Sequence, residues 1–184
     1  MNEEEESILY RSCLLFAGAG DWFEGSCING EDNGIVTADE ISRMDLSSTE
    51  LVVLSSCFGG VNDIEWSVGF NCMTGALSAA GVRYVISNLW ASDDFASAVL
   101  MDAFYDYYYN GHEAPPDALK RAQTYLRTVS VGRLREAGWL NVSAYEGLEE
   151  RTREYIIRLN ECRDRLMPFK QEYYWGGFVC YRCN

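Results

Sequence analysis

The sequence predicts an α/β layered fold, on three observations. Short apolar runs alternate with longer segments of helical spacing, the order that builds parallel βαβ units. One run, residues 51–56, reads Leu-Val-Val-Leu-Ser-Ser, the uncharged, β-branched composition of a strand buried on both faces. The chain has 184 residues and is 48% hydrophobic, which suits one domain with a real core and argues against disorder.

The elements follow in chain order. Residues 2–6 form an acidic tip. Residues 12–17 read as a strand stopped by Gly18 and Gly20, and residues 18–34, rich in Gly, Asp and Asn, as a loop. Thr37 can cap a short helix, with Glu40 three residues later completing a capping box. The strand at 51–56 runs into Cys57-Phe58-Gly59-Gly60, a sharp turn. Residues 65–80 have helical spacing and end at Gly81, a residue suited to the left-handed position after a helix. Residues 82–89 read as a second buried strand. Asp93 and Asp94 then open a helix over 95–109, where negative charge suits the positive end of the helix dipole. Pro115 and Pro116 open another that reaches about residue 128. Residues 144–165 are charged with helical periodicity, and 175–181 read as a last strand.

Charge narrows the function classes. Fifteen Lys and Arg stand against 28 Asp and Glu, a formal net charge of −13, so phosphate backbones are repelled and nucleic acid is not an expected partner. Basic peptides are favoured weakly. Met-Asn-Glu-Glu-Glu-Glu lacks the positive start and apolar run of a secretory signal, and no run of about 18 apolar residues suggests a membrane span. Seven scattered cysteines then read as free thiols in a cytoplasmic setting. Cys180-x-x-Cys183 has metal-ligand spacing, but no second pair completes a tetrahedral site, so neither metal nor cofactor is expected. The run Glu149, Glu150, Arg151, Arg153, Glu154 reads as the solvated face of a helix, and the tyrosines at 107–109 and 173–174 as core and rim residues.

Cys57 is the residue that invites chemistry. In α/β sheets reactive groups gather at the carboxyl ends of strands, and the loop Phe58-Gly59-Gly60 frees backbone N–H groups that could hold an oxyanion. A nucleophilic thiolate needs a lowered pKa or an adjacent base. Read from spacing alone, a buried structural cysteine fits as well.

Several segments, in the right order, resemble the CHAT domain family of caspase-like cysteine peptidases. Residues 51–57 are similar to its L-V-V-L-S-A-C segment, 12–19 to S-G-L-x-L-A-G-A, and 34–41 to G-x-L-T-A-x-E-I. Residues 80–94 resemble A-G-x-x-x-V-x-x-L-W-x-x-D-D, 118–123 resemble A-L-R-x-A-Q, and 173–179 resemble Y-W-A-A-F-V. Residues 129–172 match none of these and read as a helical insertion in a single, partial domain spanning 1–184.

The resemblance implies a caspase-like three-layer sandwich with a mostly parallel sheet, lacking the N-terminal strands and leaving one strand as an unpaired edge. It implies Cys57 as nucleophile, with backbone N–H groups of Cys57, Phe58 and Gly59 as the oxyanion hole. By similarity to the W-x-x-x-D acid of separases, Asp94 would receive a substrate Arg, with Trp90 beside it and Asp93 serving chiefly as a helix cap. The family's histidine lies in an A-T-H-G-like motif that these residues do not contain; their one histidine, His112, reads as a solvated loop residue. Two functions follow. One is the cysteine half of an endopeptidase, partnered by an N-terminal CHAT half or a tetratricopeptide-repeat protein and cutting a protein or peptide substrate. The other is a non-catalytic module that binds peptides or protein partners.

Overall fold

A computed structural model describes residues 12–20, 34–54, 73–145 and 147–183. These fall into two compact units, one of residues up to Ser87 together with those from Tyr181, the other Asn88–Cys180.

In the first unit, β1 (Cys13–Leu15) and β2 (Ile35–Thr37) form an antiparallel pair in the register Cys13 to Thr37. Strand β2 was not foreseen, because the sequence around it carries a stronger helix-start signal. That signal holds as well: Thr37 is at once the last residue of β2 and the cap of α1 (Ala38–Ser42). The Thr37 hydroxyl accepts from the Glu40 N–H, and the Glu40 carboxylate accepts from the Thr37 N–H at 2.8 Å, a complete capping box.

β3 (Leu51–Leu54) pairs parallel with β4 (Tyr84–Asn88), Leu51 opposite Tyr84 and Leu54 opposite Ser87. Parallel neighbours require a crossover, and this one ends in α2, helical over residues 73–79. Helix α2 closes as its sequence predicts. Gly81 adopts φ +99°, the Val82 N–H donates to Leu77 and the Gly81 N–H to Ser78, a double-bonded C-terminal cap. Ala38, Ile41, Leu54, Met73, Leu77, Val85 and Cys183 share the core of this unit.

The sheet has the order β3-β4-β5, with β5 spanning Phe178–Arg182. The bonds from Leu89 N–H to Gly177 and from Cys183 N–H to Arg83 make β4 and β5 antiparallel. The described sheet is therefore small and mixed, where a mostly parallel one was expected. The last strand also starts later than residue 175, since Glu172–Trp175 form a helical turn, α7, before the Gly176-Gly177 pair releases the chain into β5. β4 is buried at all five positions, whereas Leu51, Val52 and Val53 of β3 are half-buried. The difference follows from order: β4 has a strand on each side, and β3 is the outermost of the three.

In the second unit, α3 (Asp94–Tyr105) runs into a π-helical turn (Asp106–Asn110), and α4 (Pro115–Thr128) packs against α3. Their buried faces, Phe95, Ala96, Val99, Leu100, Ala103 on one and Ala118, Leu119, Ala122, Leu126 on the other, follow helical spacing. Beyond them lie α5 (Val131–Glu136), a 3₁₀ turn (Val142–Ala144) and α6 (Glu150–Asn160). The Arg135 guanidinium donates to Asn160 and Cys162 carbonyls, tying α5 to the end of α6. No helix among the described residues is long and apolar enough to cross a membrane.

Gly81 tests this description. A Cβ there would lie 2.9 Å from the Ser47 Cα on top of the left-handed φ, so Gly81→Ala should lower stability by about 2 kcal/mol in urea unfolding. A loss under 0.5 kcal/mol would contradict the geometry.

Candidate functional site

The described site is built where the chain leaves β4. Asn88, at the end of that strand, is 1% exposed, and its Nδ2 donates to the Ser92 hydroxyl at 2.7 Å, which in turn meets the Ser97 hydroxyl at 2.7 Å. Two further bonds clamp the intervening loop. The Trp90 indole N–H donates to the Tyr173 carbonyl at 3.0 Å, and the Tyr173 hydroxyl donates to the Ala91 carbonyl at 2.9 Å. Residues 89–93 are thus held from both directions before α3 begins.

Asp93 is the cap of α3. Its carboxylate accepts from the Ala96 N–H at 2.8 Å. Asp94, one residue on, is exposed, and its carboxylate makes no ion pair or hydrogen bond among the described residues. Two neighbouring acids therefore stand in different states, one committed to the helix and one free. A guanidinium bound at this exposed carboxylate keeps much of its water, and such pairs contribute about 0–1 kcal/mol.

Asp94 borders two clefts. The first, of about 410 Å³, is lined by Ser92, Asp93, Asp94, Glu149, Arg151 and Tyr155, among others. Three carboxylates against one guanidinium make it an acidic recess. The second, of about 360 Å³, is mostly apolar and is lined by Phe95, Ala98, Trp139, Tyr145, Leu148 and Ile156, with others. Asp94, Phe95, Glu149 and Thr152 border both. Phe95 forms part of the floor, edge-on to Trp139 at 5.9 Å and to Tyr155 at 6.2 Å.

Glu149 caps α6, and Arg151, Thr152 and Tyr155 lie in its first turns; of these, Glu149 and Arg151 belong to the run expected on a solvated helix face. Glu149 and Arg151 are exposed, yet they border the recess. No local signal marks them, since what brings them beside Asp94 is the packing of a segment 55 residues further along the chain. Burial, reinforced by the negative charge of Asp93 and by Tyr174 and Cys162, pushes the Tyr155 phenol well above its ordinary 10.0. Burial likewise raises Tyr145 beside the apolar cleft.

Cys57, Phe58 and Gly59 lie outside the described residues, three to five positions beyond Leu54 at the carboxyl end of β3. His112 is exposed with φ +52°. Cys180 is half-buried and Cys183 buried, and no metal-holding group of His, Cys, Asp or Glu occurs among the described residues.

Two variants check the cap and the aromatic floor. Asp93→Ala should cost about 1 kcal/mol in urea unfolding, with Asp93→Asn recovering most of it; equal losses would rule out the cap. A phenol whose folded pKa is raised supplies stability that is present below pH 10.0 and lost as pH rises through the folded value. The unfolding midpoint should therefore fall above pH 10.0, and Tyr155→Phe should make that fall shallower.

A family model described as CHAT domain matches residues 5–182. No curated protein and no solved structure matches the chain.

Proposed function

The chain belongs to the CHAT domain family, a caspase-like, peptidase-related module, and from that premise we propose that it is the cysteine-bearing part of a CHAT-type cysteine endopeptidase. In this reading the whole fold is a caspase-like three-layer sandwich, residues 129–172 are a helical insertion, and a partner segment supplies the dyad histidine. The observation that carries the reading is the family match over residues 5–182, which includes Cys57, three positions along the chain from the last residue of the parallel strand β3.

The chemistry is that of a thiol acyl transfer. The Cys57 thiolate attacks the scissile carbonyl carbon, and the oxygen takes up the charge against backbone N–H groups of Cys57, Phe58 and Gly59. The amine leaves with a proton from the imidazolium, giving a thioester that water then hydrolyses to the free acid and thiol. Asp94, exposed and with its carboxylate unpaired among the described residues, supports cutting after a basic residue, with Trp90 fixing the loop that presents it.

One observation favours the second reading, a non-catalytic module that binds peptides or protein partners. The single histidine of these 184 residues is exposed and sits in the loop before α4. A dyad would then need an imidazole from an N-terminal CHAT half or another partner.

An arginyl acyloxymethyl ketone separates the two. Labelling of the chain should require a histidine-bearing N-terminal CHAT segment and should vanish in Cys57→Ala. If no pairing yields a Cys57 adduct, the endopeptidase reading fails and the binding module stands.

A further inference from the structure

We infer that the apolar cleft bordered by Ala98, Trp139, Tyr145, Leu148 and Ile156 receives a bulky apolar side chain lying within two residues of the basic residue bound at Asp94. The inference rests on the reading of Asp94 as the acid that receives a basic side chain.

Three observations carry it. The acidic recess and the apolar cleft share Asp94, Phe95, Glu149 and Thr152, so one ligand that fills the first meets the second without a gap. An extended peptide advances about 3.3 Å per residue, which keeps neighbouring side chains within reach of adjoining pockets. The lining charges, Asp93, Asp94 and Glu149 against Arg151, select a cationic group for the recess and leave the second cleft to hydrophobic contact. Magnitude completes the argument. An exposed carboxylate discriminates a charged from a neutral partner only a few-fold. Burial of a leucine or phenylalanine side chain in an apolar pocket discriminates tenfold or more. The substrate class is thus a peptide with Arg or Lys close to Leu, Phe or Tyr, and the apolar residue contributes more to selection than the basic one.

Ala98 offers a direct test, because it is exposed on α3 and borders the cleft, so Ala98→Trp fills the space without cutting into the core. Fluorescein-labelled hexapeptides are titrated against the 184-residue chain by anisotropy, with Arg held at the centre and Leu, Phe or Ala placed at each position within two residues of it. Leu or Phe should bind about tenfold tighter than Ala at one of these positions. Ala98→Trp should abolish that difference while Arg remains favoured over Gln, and Leu148→Ser should reduce it. Asp94→Asn should remove the preference for Arg and leave the Leu-over-Ala difference. No Leu-over-Ala difference, or one that persists in Ala98→Trp, overturns the apolar pocket even if Asp94→Asn behaves as stated. An Arg preference unchanged in Asp94→Asn overturns instead the assignment of the acid on which the inference rests.

Discussion

The close approach of Gly177 to the end of β4 is the constraint on which the described site depends. The Leu89 N–H bonds to the Gly177 carbonyl, and a Cβ at position 177 would overlap the Asn88 side-chain oxygen and crowd the Trp90 indole. Only a residue without a side chain lets β5 begin so near the exit of β4. With that approach made, Asn88 reaches Ser92, Trp90 reaches the Tyr173 carbonyl, and α3 starts at a fixed place with Asp93 folded back as its cap and Asp94 turned outward.

That arrangement explains why two adjacent acids of the same type differ in role. Asp93 satisfies an N–H that the helix itself cannot bond, so its charge is used locally. Asp94 is one step into the helix, and its carboxylate accepts no such bond among the described residues. The start of α6 then adds Glu149 and Thr152 from elsewhere in the chain and divides the surrounding space into a polar and an apolar half. The recognition proposed for these clefts is composite, pairing a weak, water-exposed charge with a hydrophobic pocket.

Local signals were legible because each is completed by residues a few positions apart. The Thr37 and Glu40 capping box, the Gly81 cap of α2, Asp93 at the start of α3 and the Pro115-Pro116 opening of α4 all lie where the sequence puts them. Strand β2 was hidden because Thr37 serves strand and helix together. The helical turn at Glu172–Trp175 was hidden because its aromatic residues suit a strand equally well. Residues 51–53 were expected to be buried on both faces, but apolar character does not report how many strands flank them.

The sequence by itself determined the family, the position of Cys57 after a β-strand, and the ends of the helices, since these rest on ordered motifs and on bonds spanning three or four residues. Tertiary structure alone decided that Asp94 is exposed, that β5 runs antiparallel to β4, and that Glu149, Thr152 and Tyr155 join Asp94 around two clefts. The physical reason is range. Hydrogen bonds within a turn are written into neighbouring residues, whereas a cleft is the space left when distant segments pack, and no short stretch of sequence encodes that space.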